Sequence, residues 1–234
     1  LLVDGRFVVT GAERRHVADA LRLRPGDEFL ATDGIGHEYH LVVEAAGRRE
    51  LRAAVRRETN VAEEPGRAVT VALAPPKGSR METAVEKCVE CGVGRIVPLR
   101  AERSVVRTAD GTERSERWRR VARSATAQSG RSWLPEILEV HALAEALSLD
   151  GTVFLAHPDE GAVPLRAALA GAGVAPGDAV TLLVGPEGGF SPDEVEESRR
   201  AGATAVSLGH TRLRTETAAI VAVAETVASL RTPD

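Results

Sequence analysis

From residue 69 onward, short apolar runs alternate with helical patterns, and this alternation limits the folds that are open to the chain. Strands are predicted at VTVALAP (69–75), RIVPL (95–99), EILEV, TVFLAH, AVTLLVG and TAVSL. Helices are predicted at METAVEKCVEC, over the basic stretch ERSERWRRVARSATAQSG, and at TETAAIVAVAETVASL near the end of the chain. Repeated strand–helix units predict an α/β domain with a mostly parallel sheet and helices on both faces.

The first 68 residues follow a different pattern. FVVT, DEFLATDG and EYHLVVEAA are strand-like and are separated by turn signals at PGD and DGIG, with a short helix predicted at AERRHVADALRL. The polar stretch NVAEEPGRA (60–68) contains Pro and Gly and is interpreted as a linker. We therefore predict a small barrel-like domain over 1–68 and an α/β domain over 69–234.

The segment LLVGPEGGFSPDEV (182–195) combines a buried type of strand, a glycine loop and a helix start. Ser191 is the predicted N-cap, Pro192 the first helical residue, and Glu194 completes a capping box. The loop has neither the GxGxxG spacing nor the GK[ST] ending of phosphate-binding loops, and Glu187 would repel a phosphate. Glycines at the carboxyl end of a parallel strand favour close approach to a neutral or cationic ligand. The alternative is a tight strand–helix turn that binds nothing.

A second loop of this kind lies at SLGHTRLRTETAAI (207–220). A strand is predicted to end at Leu208-Gly209, the loop carries Arg212 and Arg214, and a helix begins near Thr215, capped by Thr215 or Thr217. Two glycine-bearing strand ends in successive units favour one shared pocket. Alternatively, the arginines form ion pairs with the acidic C-terminal half of the chain.

Composition excludes several classes of protein. No apolar stretch approaches the roughly 20 residues that span a bilayer, and the first residues lack the pattern of a signal peptide. Cys88 and Cys91 indicate a reducing compartment rather than a disulfide framework. They share one face of a predicted helix and have only the pair His37 and His40 as possible zinc partners, so core packing is favoured. We expect a cytoplasmic protein without a membrane anchor or a metal.

Charge is unevenly distributed along the chain. The net charge is −4, but residues 95–133 hold 10 basic and 4 acidic residues, whereas residues 134–234 hold 6 and 15. A basic block on an acidic protein is a candidate surface for a polyanion. Its predicted contact residues are Arg114, Arg117, Arg119, Arg120 and Arg123. The alternative is a solvated, arginine-rich helix face.

The paired segments GPEGGFSPDEV and LGHTRLRTETA resemble the RsmE family of small-subunit ribosomal RNA uridine-N3 methyltransferases, which belong to the SPOUT superfamily. RHVADALRLRPGDEFLATDG is similar to the PUA-like β-barrel of that family. PPKGSRMETAVEKCVECGVGRIVPLRAERSVV and ARSATAQSGRSWLPEI are similar to its central segments. The strand that usually precedes VDG is short here, and Cys91 replaces an aliphatic residue.

This resemblance implies a fold, a cofactor and partners. It implies an α/β trefoil knot in the C-terminal domain, a homodimer, S-adenosyl-L-methionine as cofactor, and 16S rRNA in the assembled small subunit as substrate. The family motifs, matched residue by residue, place these residues around the cofactor: Leu183, Val184, Gly185, Pro186, Glu187, Gly188, Gly189, Leu208, Gly209, Leu213, Arg214, Thr215, Glu216 and Thr217. The segment FLAHP, which contains Leu155 and His157, matches the first knot loop.

The implied chemistry agrees with these residue types. Backbone carbonyls and a carboxylate suit a sulfonium, whereas a lysine would not. Uridine N3 must lose a proton before it attacks the methyl group, and Arg214 or Arg212 is predicted to stabilise the negative charge on the base. Glu187, Glu216 and solvent remain candidates for the general base. Two alternatives stay open: a SPOUT enzyme that acts on a ribose 2′-hydroxyl or another base, and a non-catalytic RNA-binding protein.

Overall fold

The computed structural model describes residues 2–3, 6–11, 14, 22–104, 111–157 and 161–231. The chain divides into two compact units, Leu1–Glu63 and Glu64–Asp234. The domain boundary predicted from the sequence lies a few residues later, after residue 68. The helix predicted at AERRHVADALRL lies largely outside the described residues.

In the described part of the N-terminal unit, five strands form one antiparallel sheet in the order β1-β2-β5-β4-β3. The strands are β1 (Leu2–Val3), β2 (Arg6–Thr10), β3 (Glu28–Thr32), β4 (His37–Ala46) and β5 (Glu50–Asn60). β2, β3 and β4 are the three strands predicted from the sequence. The central strand β5 was not predicted, because its charged residues hide the alternation. Leu51 and Ala53 are fully buried, whereas Arg52 between them is exposed.

In the C-terminal unit, the described residues form an eight-stranded sheet whose neighbouring strands are all parallel. The order is β11-β13-β10-β12-β6-β7-β8, and β9 pairs with β7. The strands are β6 (Val69–Leu73), β7 (Arg95–Arg100), β8 (Glu136–Ile137), β9 (His141–Ala142), β10 (Thr152–Ala156), β11 (Val163–Pro164), β12 (Val180–Val184) and β13 (Thr204–Ser207). The helices are α1 (Arg80–Glu90), α2 (Gly111–Gln128), α3 (Leu143–Leu147), α4 (Leu165–Gly171), α5 (Pro192–Arg200) and α6 (Thr215–Ser229). This confirms the parallel α/β sheet predicted from the sequence.

Apolar side chains cover both faces of this sheet. In β12, Leu182 belongs to a core cluster that also contains residues of α1, α2, α4 and α6. Its neighbour Leu183 belongs to a second cluster with residues of α3 and α5. Successive strand residues point to opposite faces, so a strand that is covered on both sides has to be apolar throughout. All five residues of β6 and all five of β12 are buried for this reason.

An ion pair between the buried Arg131 and the partly buried Glu64 fixes the start of the C-terminal unit. Arg131 is 8% exposed, and its Nε donates to Oε2 of Glu64 at 2.9 Å. Its Nη1 donates to the carbonyl oxygens of Val89 and Val93, at 3.0 and 2.9 Å, around the end of α1. The other carboxylate oxygen of Glu64 accepts the backbone N–H groups of residues 132 and 133. One arginine therefore binds a carbonyl of the last turn of α1 and one just beyond the helix, and it holds the segment that enters the unit.

Candidate functional site

A cavity of about 590 Å³ in the C-terminal unit lies at the carboxyl ends of three strands. These strands, β13, β10 and β12, are neighbours in the sheet. The cavity therefore opens at the edge where open α/β sheets bind ligands. It is lined by Arg103, Ala156, His157, Val184, Gly185, Pro186, Glu187, Gly188, Gly189, Phe190, Val206, Ser207, Leu208, Gly209, Thr211, Arg212, Leu213, Arg214, Thr215 and Ala218. The structure thus brings both glycine-bearing loops to one cavity.

The first loop, residues 185–190, is held by the capping box predicted from the sequence. The Ser191 hydroxyl accepts the N–H of Glu194 at 3.3 Å, and Oε2 of Glu194 accepts the N–H of Ser191 at 2.8 Å. The N–H of Gly189 donates to the carbonyl of Pro186 at 2.8 Å, and Gly189 has a φ of +69°, which favours glycine. A Cβ at Gly185 would lie 3.0 Å from the ring of Phe190, so a larger residue at this strand end would require the ring to shift.

The second loop differs from its prediction at the start of α6. The N-cap is Arg214, with no side-chain cap, so the predicted cap by Thr215 or Thr217 is wrong. The Thr215 hydroxyl instead donates to the carbonyl of Gly185 at 3.0 Å, and Thr217 is exposed within the helix. This hydrogen bond joins the two loops at the wall of the cavity. Because the Thr215 hydroxyl is used there, it does not cap the helix.

Most of the predicted cofactor residues line the cavity, and four do not. Leu155 and Leu183 are 1% and 0% exposed and belong to the core beneath it. Glu216 and Thr217 lie on the first turn of α6 outside the lining. The FLAHP segment is described only as far as His157, whose N–H donates to the carbonyl of Val206 at 3.1 Å. The assignment of these residues to a cofactor stays a prediction.

Arg212 and Arg214 both line the cavity with exposed side chains. Within the described ranges, neither forms an ion pair with the acidic residues of this half of the chain. The alternative in which they serve as surface ion-pair partners therefore gains no support from the geometry. Their charge faces the space where a ligand would lie.

Arg103 is a further lining residue that was not predicted from the sequence. Its Nη1 donates to the carbonyl of Gly188 at 3.0 Å and to that of Phe190 at 3.4 Å, so its guanidinium holds the glycine loop at the cavity wall. The preceding N–H, of Glu102, donates to Oε1 of Glu194 at 2.7 Å. Arg103 follows the carboxyl end of β7, and its position at that edge of the sheet was the signal that could have identified it.

The basic helix α2 divides into two kinds of arginine. Trp118, Ala122 and Ala125 are buried on its inner side. Arg117 pairs with Glu82 at 3.0 Å, and Arg119 pairs with Glu139 at 2.9 Å. The remaining predicted RNA contacts are exposed: Arg114, Arg120 and Arg123. Part of the block is thus engaged within the unit, and part projects into solvent.

The cysteines lie in the core, as the helical spacing predicted. Cys88 is fully buried, and burial raises the pKa of its thiol; burial also raises the pKa of the half-buried Cys91. A metal ligand has to be the thiolate, which these surroundings disfavour. The described residues contain no group of three or more His, Cys, Asp or Glu that could hold a metal. Among them, no helix is long and apolar enough to cross a membrane.

Two family models match the chain. The model of an RNA methyltransferase domain matches residues 62–227, and the model of an RNA methyltransferase PUA domain matches residues 9–55. The two matches fall on the two compact units, and together they cover most of the 234 residues.

Curated relatives and solved structures agree with these matches. The chain is 40% identical over 229 residues to ribosomal RNA small subunit methyltransferase E of Mycobacterium tuberculosis, covering 92% of this chain and 84% of the relative. The Neisseria gonorrhoeae ribosomal RNA small subunit methyltransferase E bound to S-adenosyl methionine superposes with a TM-score of 0.81 at 30% identity, covering 94% and 90% of the two chains. A Legionella pneumophila methyltransferase with bound SAM gives 0.82 at 27% identity, covering 95% and 91%.

Proposed function

This chain belongs to the RNA methyltransferase family with an RNA methyltransferase PUA domain, and on that premise we propose that it methylates N3 of a uridine in 16S rRNA with S-adenosyl-L-methionine. The observation that carries the proposal is the cavity at the ends of β10, β12 and β13. It is built from the two glycine motifs, and the relative bound to S-adenosyl methionine shares the fold around it at 30% identity.

The residues of the cavity fit a sulfonium cofactor. The backbone of the glycine loop lines the cavity, and Glu187 places a carboxylate at the wall. The described lining residues include no lysine. When bound, S-adenosyl-L-methionine supplies the electrophilic methyl group. The loop carbonyls and Glu187 would hold its cationic part, and the apolar side chains of Val184, Leu208 and Leu213 would exclude water.

The protein's own contribution to the reaction is charge stabilisation and orientation. Arg214, with Arg212 beside it, would hold the negative charge that develops on the uracil oxygens as N3 loses its proton. Both candidate carboxylates lie beside Arg80, Glu187 at 3.6 Å and Glu216 at 3.8 Å, but only Glu187 lines the cavity. This leaves Glu187 and solvent as proton acceptors.

The target atom is tested by nucleoside analysis of small-subunit RNA from cells that lack this protein. We expect 3-methyluridine to disappear from 16S rRNA and to return when the gene is restored. Loss of a ribose 2′-methyl mark or of a different base mark would replace the proposed substrate. An unchanged set of modified nucleosides would argue for an RNA-binding protein without catalysis.

We also propose the finer features that the resemblance implies: residues 1–68 as a PUA-like barrel, a trefoil knot within 69–234, and action on assembled small subunits in the cytoplasm.

We further propose a homodimer. Ile220, Val221 and Ala224 of α6 are only partly buried within the unit and offer apolar surface for a partner. An interface of ordinary size buries roughly 1,200–2,000 Å² in total. Light scattering at micromolar concentration should give twice the mass of the chain, and the mass of a single chain would contradict the dimer.

Gly188→Val is expected to abolish measurable binding of S-adenosyl-L-methionine. A Cβ at Gly188 would meet Arg103 at an ordinary 3.4 Å, so Gly188→Ala should be tolerated and serves as the matched control. The branched methyl groups of valine would press further against Arg103 and displace its guanidinium from the carbonyl of residue 188, which deforms the loop that lines the cavity. Titration calorimetry, with circular dichroism to check folding, measures the difference. Unchanged affinity in a folded Gly188→Val protein would place the site elsewhere.

RNA affinity is expected to depend on the exposed arginines of α2. Arg120→Ala with Arg123→Ala should reduce the slope of log affinity against log salt by roughly 0.7–0.9 for each phosphate that the variant no longer neutralises. Arg117→Ala with Arg119→Ala is the matched control, since those side chains are already paired with Glu82 and Glu139. Equal slopes in both double variants would show that the block is a solvated helix face.

A further inference from the structure

We propose that Arg80 is a positioning residue for the cavity, because its guanidinium lies between two carboxylates that belong to the two sides of the site. Its Nη1 is 3.6 Å from Oε1 of Glu187, which lies in the glycine loop. Its Nε is 3.8 Å from Oε1 of Glu216, in the first turn of α6. The inference rests on the proposed function for the identity of the ligand, but the ion pairs themselves are independent of it.

The fold explains why Arg80 reaches both groups. Arg80 is the first residue of α1, which follows the carboxyl end of β6, and β6 is the neighbour of β12 in the sheet. Three chain segments thus meet at this edge: the start of α1, the loop after β12, and the start of α6. The Thr215–Gly185 hydrogen bond already joins the last two through neutral groups. Arg80 adds a charged contact to each of them from a third element.

The burial of the Glu216 carboxylate explains why a cation is favoured at the position of Arg80. The residue is 9% exposed, and its Oε2 is buried without a hydrogen-bond partner in the described part of the chain. A buried carboxylate is costly unless a positive charge lies nearby. Arg80 supplies that charge, and without it Glu216 and Glu187 would repel each other across the two loops.

A positioning role and a purely electrostatic role predict opposite results. Arg80, Glu187 and Glu216 together carry a net charge of −1, so removal of Arg80 makes the wall more acidic. If Arg80 acted only through its charge, its removal would tighten binding of a sulfonium. If Arg80 positions the loop, its removal weakens binding whatever the charge of the ligand, because the cavity is no longer preorganised.

Two ligands separate these roles: S-adenosyl-L-methionine, which carries the sulfonium charge, and S-adenosylhomocysteine, which lacks it. In titration calorimetry on the full chain, Arg80→Ala should weaken both ligands to the same extent, by roughly tenfold, or about 1.4 kcal/mol. Arg80→Lys should recover part of the affinity, because an ammonium restores the charge but not the fork that spans both carboxylates. Lys77→Ala, which removes an exposed cation from the same connection, should leave both affinities unchanged.

A double variant separates positioning from stability. Arg80→Ala leaves Glu216 buried without a cation, so the melting temperature should fall. Adding Glu216→Gln should restore the melting temperature but not the affinity, because Glu187 and its loop remain untethered. The proposal is overturned if the double variant regains affinity, if Arg80→Ala tightens S-adenosyl-L-methionine alone, or if Arg80→Ala binds like the wild type. A wild-type protein that binds neither ligand would overturn the proposed function, and this inference with it.

Discussion

Arg214→Ala is expected to lower the single-turnover rate of methyl transfer by about 10²–10³, at saturating cofactor and RNA. Arg214 is the N-cap of α6, has an exposed side chain and lines the cavity. Its proposed task is to stabilise negative charge on the uracil as N3 loses its proton, an interaction that is strongest in the transition state. Loss of one preorganised donor of this kind costs roughly 3–4 kcal/mol of activation free energy.

Conservative and neighbouring variants sharpen this expectation. Arg214→Lys should recover only part of the rate, since an ammonium cannot meet two acceptors with a planar fork. Arg212→Ala tests the second arginine under the same conditions, and the larger reduction identifies the main donor. If Arg214 only held the loop in place, its removal would lower the melting temperature and the cofactor affinity but spare the rate at saturation. A near-normal single-turnover rate in a folded Arg214→Ala protein would refute the catalytic role.

Arg131→Ala is expected to lower the free energy of unfolding of the C-terminal unit by about 3–5 kcal/mol. The change leaves the partly buried carboxylate of Glu64 without its cation and removes the donors to the carbonyls of Val89 and Val93. An effect of that size is a large share of the stability of an ordinary domain. Urea denaturation followed by far-UV circular dichroism measures it.

A pair of variants at the same ion pair separates charge from packing. Arg131→Met keeps most of the side-chain volume, and Glu64→Gln keeps an oxygen that can accept the N–H groups of residues 132 and 133. The combined variant should lose less stability than Arg131→Ala, because no unpaired charge remains buried. Equal reductions would mean that the hydrogen bonds to Val89 and Val93, and not the uncompensated carboxylate, account for the effect.

The sequence predicted elements whose signal is local. The capping box at Ser191 and the apolar strand β12 each follow from a few adjacent residues, and both are present. Strand β5 was missed because only Leu51 and Ala53 are buried in it, and the many charged residues of the strand obscure their alternation. The cap of α6 was misassigned because the Thr215 hydroxyl bonds to Gly185, thirty residues earlier. A side chain that bonds across the fold cannot be recognised from its own neighbours in the sequence.

The candidate site shows the same limit. The glycine loops could be placed at one edge of the sheet because carboxyl ends of parallel strands share that edge. Arg80 and Arg103 were not assigned to the site. They follow β6 and β7, and they contact the loop after β12 because β12, β6 and β7 are successive neighbours in the sheet. The hydrophobic pattern of the sequence does not reveal that strand order. Leu155 and Leu183 were placed at the cofactor by motif alone, and their side chains lie in the core.

The position of β12 between β10 and β6 has a consequence for the order of events during synthesis. Val69 pairs with Val180, although the strands from β7 to β11 lie between them in the chain. Until residues 180–184 have left the ribosome, β6 and β10 each present an unpaired apolar edge, which is prone to association with other chains. Contacts between such distant segments form slowly, because the entropy of closing the loop must be met first. The cavity takes its wall from the end of β12, so cofactor binding can stabilise only a chain that has nearly finished folding.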